Sequence, residues 1–263
     1  MSEKINVLIK QKKEEEAKKK NQFRSFIGTE FEFDIMGGRQ FTLLFNLGLR
    51  EDAKLLDFGC GSLRFGRLAI NYLNEGNYFG IEPNKWLVKE GIKKVIGKEI
   101  VKMKKPNFRH NNDFKSSVFG NKFNFIIAQS IFSHTTFPLF KKAIKNLSDS
   151  LDKNGILCFT ALTDMISNPD RIEENNNEEW IYPQNIVFKY EDLIDYTNKI
   201  GHCVYISGYH SNQCWFVYSL NKDLIEIVRN NFDNLTDLSH RYPILWNYSS
   251  LSFRIKKKEL ISI

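Results

Sequence analysis

The chain has 263 residues, 42% of them hydrophobic and 26% charged, an ordinary globular composition long enough to bury a core without disulfides or metals. Its net charge of +7 raises an anionic partner as one reading, but much of the excess sits near the ends, where a charge run reads as solvated. Lys4, Lys10, Lys12, Lys13, Lys18, Lys19 and Lys20 stand against Glu3, Glu14, Glu15 and Glu16, and IKKKE lies at 255–259. No apolar run approaches the ~18 residues of a membrane span, and no signal-peptide apolar region is visible. The cysteines, Cys60, Cys158, Cys203 and Cys214, show neither CxxC pairing nor metal-ligand spacing, which fits a reduced, cytoplasmic protein.

The segment KQKKEEEAKKK (10–20) favours helix but has little to bury, and residues 1–36 read as a basic, helical N-terminal extension. From Phe23 to Leu49 apolar residues gather, broken at Gly28 and at Gly37-Gly38. A rhythm then begins. KLLDFG (54–59), NYFGIEP (77–83), FRHNN (108–112), KFNFIIAQS (122–130) and GILCFTAL (155–162) are short, strand-favouring runs. Between and beside them RFGRLAINYL (64–73), NKWLVKEGIKKVI (84–96) and FPLFKKAIKNLSDSL (137–151) carry apolar residues at helical spacing. Strands alternating with helices predict βαβ units on a parallel sheet. A polar stretch at 167–180 precedes a helix over 190–201. The runs at 202–209 and 213–220 are close enough to pair antiparallel. The remainder, 221–263, reads as a helical and aromatic extension, which leaves 37–220 as the main domain.

The stretch LLDFGCGSLRFGR (55–67) places Gly59 and Gly61 after a strand and before a helix expected to start at Arg64. Such a turn lets backbone approach a ligand closely. A dinucleotide fingerprint needs a third glycine where Arg64 stands. Glu82 ends the next strand, where a carboxylate can accept both ribose hydroxyl hydrogens.

These residues resemble motif I of the class I S-adenosylmethionine-dependent methyltransferases, with Asp57, Gly59 and Gly61 matching and Leu63 standing where the third alternate glycine would be. NNDF (111–114), IIAQSIFSHTT (126–136), GILCFTAL and YHSNQCWFVYSL follow in the family's order, over about 37–220. The resemblance implies a Rossmann-like, seven-stranded, mostly parallel sheet with helices on both faces and an antiparallel C-terminal hairpin. It implies S-adenosylmethionine as cofactor and S-adenosylhomocysteine as product, held by Asp57, Gly59, Cys60, Gly61, Arg64, Glu82 and Pro83. Asp113 is the expected contact to the adenine amino group, with Asn112 second and Phe114 on the ring. Gln129 or Ser130 faces the cofactor, and Arg39 is an alternative to Arg64 as partner of its carboxylate.

For an alcohol acceptor, His134 is the expected base, just beyond a strand's C-terminal end. His210, Trp180 and Tyr182 are the expected acceptor contacts. No metal is expected, because Asp164 stands without clustered acids. AQSIFS replaces the Asn/Asp-Pro-Pro-aromatic signature of DNA amino-methylation, and no cysteine sits where pyrimidine C5 chemistry needs one. The variant GCGSLRFGR followed by YFGIEPN resembles methyltransferases of bacterial capsule and surface-polysaccharide biosynthesis. This implies O-methylation of a small polar acceptor: a sugar, a nucleotide-linked precursor or a phosphoramidate. A phosphoryl acceptor would rely on Arg64, Arg67, Arg109 or Lys85 rather than on a base. The alternatives are an RNA methyltransferase and a non-catalytic cofactor-binding subunit. Neither nucleic acid nor membrane is the expected partner, and the oligomeric state stays open.

Overall fold

The computed structural model describes residues 15, 22–28, 30–166, 176–211 and 213–241. The lysine-rich segment at 10–20 apart from Glu15, the centre of the polar stretch, and the aromatic segment past Arg241 lie outside them.

In chain order the elements are α1 (Phe33–Asn46), β1 (Leu55–Phe58), α2 (Gly66–Tyr72), β2 (Tyr78–Ile81), α3 (Lys85–Gly91) running into a π-turn (Ile92–Ile96), α4 (Lys98–Lys104), β3 (Asn107–Arg109), β4 (Phe123–Ala128), α5 (Phe137–Asp149), β5 (Leu151–Ala161), α6 (Tyr190–Ile200), β6 (His202–Ser211), β7 (Gln213–Ser219) and α7 (Lys222–Arg241). The strands form a seven-stranded sheet in the order β3-β2-β1-β4-β5-β7-β6. The first five are mutually parallel, while β7 runs antiparallel between β5 and β6.

Both faces of the sheet are covered, so the central strands β1, β2 and β4 are almost wholly buried and mostly apolar rather than alternating. In β1, Leu56 and Phe58 face Phe140, Ile144 and Leu147 of α5 with Leu193 of α6. Leu55 faces the other side, with Leu43 and Leu44 of α1, Ala69 and Ile70 of α2, and Ile225 and Val228 of α7.

Four local expectations change. Gly37 and Gly38 do not break the chain but lie inside α1. A Cβ on Gly37 would stand 2.5 Å from the backbone oxygen of Arg64, so the glycine lets α1 press against the turn after β1. Helix α2 starts at Gly66 rather than Arg64, after a turn in which Leu63 takes a left-handed φ of 65°. Strand β5 begins at Leu151, because Leu151 already pairs with Phe123 ahead of a bulge. Helix α4 was invisible as a periodic pattern, since none of its residues is buried.

Candidate active site

Beyond β1 the chain turns through Gly59 and Gly61 at φ of 83° and 53°, conformations that cost glycine little. The amides of Gly59 and Cys60 both donate to the Ile81 carbonyl, at 2.8 and 3.0 Å, which fastens the turn to the end of β2. A Cβ on Gly59 would stand 2.2 Å from Cδ1 of Ile131. The loop after β4 therefore packs onto the turn at the point where the strand order reverses, the usual place for a ligand in such sheets. Leu63 adopts a glycine-like backbone while its side chain is fully buried against Cys60 and Val88.

Three charged groups surround this turn. Asp57 is buried in β1; loss of solvent lifts its carboxyl from 3.8 to about 7, against the hydrogen bond from Tyr78 and the nearby charge of Arg64. Burial likewise pulls the Arg64 guanidinium below its usual range, opposed by Asp57, and its Nη1 donates to the Ile27 carbonyl at 3.3 Å. Glu82 is buried at the end of β2. Its Oε2 accepts the Gly61 amide at 3.1 Å and its Oε1 the Asn84 amide at 2.8 Å.

Two adjoining cavities open from the turn and share Phe26, Gly59, Glu82, Asn84, Ile131, Trp180 and Tyr182. The first, beside β2 and β3, is mainly apolar and includes Pro83, Asn111, Asn112 and Phe114. Asp113, the expected adenine contact, is not among its lining residues. It is exposed, its carboxylate accepts from Asn111 Nδ2 at 2.7 Å, and that bond is the main reason its pKa falls. Asn111 takes the place inside the cavity, and its Oδ1 is buried without a hydrogen-bond partner. A left-handed φ of 60° at Phe114 gives this loop a path that residue types do not announce.

The second cavity, of about 430 Å³, runs from Arg64 to His134 and includes Asp57, Cys60, Gly61, Gln129 and Ser130. Arg39 does not line it; on α1 it is the next residue, Gln40, that does. Neither do Arg67, Arg109 or Lys85. Arg67 pairs with Asp34 at 2.8 Å, and Arg109 lies over the Phe119 ring. At the far end His134 approaches the Gln184 carbonyl through Nδ1 at 2.7 Å. A carbonyl only accepts, so Nδ1 carries the proton and Nε2 presents its lone pair. Burial holds the His134 pKa below its usual value. Trp180 and Tyr182 meet the imidazole edge to face, with centroids at 5.5 and 5.0 Å, and lie nearly parallel to one another. His210 belongs to β6, but its side chain lies outside the described residues.

Sequence reasoning missed the strap before α1. Phe26 sits 5.3 Å from Trp86 and 6.4 Å from Tyr182, and a Cβ on Gly61 would meet Ile27 Cγ2 at 3.0 Å. It also missed Gln213, which joins a ring at the cavity floor: Ser130 N donates to Thr160 Oγ1, Thr160 Oγ1 to Gln213 Oε1, and Gln213 Nε2 to Ser130 Oγ. That ring holds Ser130 at a left-handed φ of 59°. Among the described residues no cluster of three or more His, Cys, Asp or Glu is arranged to hold a metal ion.

Residues 56–157 match the family model described as a methyltransferase domain. Among solved structures, the fold is similar to DesVI of Streptomyces venezuelae, with TM-score 0.56, 12% identity, and coverage of 72% of this chain and 93% of that one. It is similar to the magnesium protoporphyrin IX methyltransferase of Synechocystis, with TM-score 0.52, 12% identity, and coverage of 72% and 85%. An S-adenosylmethionine-dependent methyltransferase of Clostridium acetobutylicum gives TM-score 0.51, 13% identity, and coverage of 71% and 91%. Among curated proteins nothing matches the sequence. Residues 56–157 thus match a methyltransferase-domain model, and the seven-stranded sheet has the Rossmann-like fold of the methyltransferase structures to which it is similar.

Proposed function

We propose that the chain transfers a methyl group from S-adenosylmethionine to a hydroxyl of a small polar acceptor, in the capsular or surface-polysaccharide setting that its motif variant implies. The residues present fit the cofactor. Glu82 lines both cavities with a carboxylate of the kind that accepts ribose hydroxyls, Asn111 Oδ1 needs a donor such as an adenine amino group, and Phe114 offers the ring an apolar face. When bound, the cofactor supplies a methyl group already activated on a sulfonium, leaving S-adenosylhomocysteine as product. The protein's tasks are therefore orientation and proton removal.

His134 carries this reading. Its Nδ1–H is held by the Gln184 carbonyl, which aims an unprotonated Nε2 as the base. Burial keeps the ring neutral near pH 7. As the acceptor oxygen forms its bond to the methyl carbon, its proton passes to Nε2 and leaves through solvent. Trp180 and Tyr182 wall the acceptor and exclude water from one side. A hydroxyl is favoured over a phosphoramidate because, among the described residues, Arg64 is the one lysine or arginine that lines the two cavities.

The test is His134→Ala assayed over a panel of sugars, nucleotide-linked sugars and phosphoramidates. A rate loss of about 10²-fold or more with unchanged S-adenosylhomocysteine affinity is expected. A near-normal rate would overturn the base assignment. RNA as acceptor would instead be marked by binding that falls steeply with salt.

A further inference from the structure

The positive charge of the chain is concentrated in one place. From Lys85 to Arg109 stand eight lysines and Arg109 against Glu90 and Glu99, a net +7 that equals the net +7 of all 263 residues. The excess therefore lies not near the ends, as a count of terminal lysines suggests, but on α3, its π-turn, α4 and β3, the outermost strand of the sheet. Part of it is neutralised locally. Lys94 pairs with Glu90 at 3.1 Å, Lys105 pairs with Glu75, and Lys104 Nζ donates to the Leu73 carbonyl at 2.7 Å. Lys85, Lys89, Lys93, Lys98 and Lys102 are exposed and form no ion pair among the described residues. Lys85, Lys89 and Lys93 follow at four-residue spacing from α3 into the π-turn, and Lys98 and Lys102 do so on α4. Like charges thus sit on neighbouring turns, which works against both helices. The apolar sides of these helices are in use, since Val88, Ile92, Ile96 and Ile100 pack inward. Met103 of α4 does not, and stands 60% exposed beside the lysines.

We infer that this face docks on an anionic lipid surface, its lysine ammonium groups on the headgroup phosphates and Met103 toward the acyl boundary. The row from Lys85 to Lys93 alone spans about 12 Å of helix axis. A single phosphate meets one or two of its charges, whereas a surface of anionic headgroups meets them all. Lysine clusters on a helix surface are drawn to such bilayers, each charge contributing within a Debye length. A nucleic acid fits less well. Bases are held by exposed aromatic faces or arginine forks, and here Trp86 packs on Phe26 while Arg109 lies over Phe119. No helix among the described residues is long and apolar enough to cross a membrane, so the contact is peripheral. Lys85 directly follows Asn84, which lines both cavities, so the docked face begins at the edge of the cleft. The surface is the same whichever acceptor the cleft takes.

The experiment is co-sedimentation of the full chain with vesicles of phosphatidylglycerol and phosphatidylcholine in equal parts, against pure phosphatidylcholine, at ~0.1 M salt. Wild type is compared with the triple variant Lys89→Glu, Lys93→Glu, Lys98→Glu and with the charge-matched Lys12→Glu, Lys13→Glu, Lys19→Glu. The expected result is binding to the anionic vesicles alone, weakened tenfold or more in the first variant and within twofold of wild type in the second. If the first variant loses helix content by circular dichroism, Lys89→Gln, Lys93→Gln, Lys98→Gln reads the same contrast. Equal losses in the two variants would reduce the effect to net charge and overturn the assignment. Wild-type binding that ignores lipid charge, or no binding at all, would overturn it as well. A single-stranded RNA of uniform sequence is titrated in parallel. RNA binding lost in the first variant while vesicle binding persists would replace the lipid surface with a nucleic acid.

Discussion

The hydroxyl of Tyr78 donates a 2.7 Å hydrogen bond to Oδ2 of Asp57 across adjacent strands, with both residues buried. Tyr78 is paired in register with Leu55, so its ring leans along the sheet to reach an acid two residues further on. The pair sits directly under the Gly59–Gly61 turn and links the chemistry of the turn to the stability of the fold.

Replacing Asp57 by Asn should make stability less dependent on pH. Burial raises the folded-state pKa from 3.8 to about 7, so between these values the folded state holds a proton that the unfolded state has lost. Stability from this group is therefore full below about pH 3.8 and declines as pH rises through 7. Asn still accepts from Tyr78 and does not titrate. Denaturant melts should show Asp57→Asn gaining on wild type from near zero at pH 4 to on the order of 4 kcal/mol at pH 8. Parallel curves would contradict the burial argument.

Leu63→Gly sets two effects against each other. Glycine relieves a left-handed backbone worth about 1–2 kcal/mol. It also removes a fully buried leucine packed against Cys60 and Val88, at a cost of about 2–5 kcal/mol for a comparable Leu→Ala change. Packing wins, and the variant should lose about 1–3 kcal/mol in a denaturant titration despite moving closer to the family pattern. A more stable variant would show that strain, not packing, dominates the turn.

The rate should have an acid limb set by His134. Its folded-state pKa lies below the ordinary 6.5 because of burial, so activity should fall only as pH drops below about 6.5 and the base becomes protonated. In His134→Gln that limb should vanish along with most of the rate. A limb unchanged in the variant would assign the titration to another group.

The strands and main helices were legible because short apolar runs and helical spacing report burial directly, and because motif I, Glu82 and the hairpin occur in the family's order. What escaped the sequence was non-local. Nothing near Phe26, Ile27 or Gln40 in the chain says that they fold over the turn at Gly59–Gly61. Choosing between Asn111 and Asp113 needed the loop's path, which depends on a left-handed backbone at Phe114 that the residue type disfavours. Arg39 and Gln40 are neighbours on one helix, and which of them faces the cavity follows from the packing of Gly37 on Arg64. Gly37-Gly38 read as a break for the converse reason: these glycines serve a close approach, not a turn.

The most direct measurement is a calorimetric titration of the protein with S-adenosylmethionine, S-adenosylhomocysteine and NAD, repeated on Glu82→Gln. Glu82 accepts two backbone amides and lines both cavities, and the amide variant can accept through only one of its two atoms. The account predicts micromolar binding of both sulfur ligands, no comparable binding of NAD, and a tenfold or greater loss in the variant. Preference for NAD, or sulfur-ligand binding indifferent to Glu82, would contradict it.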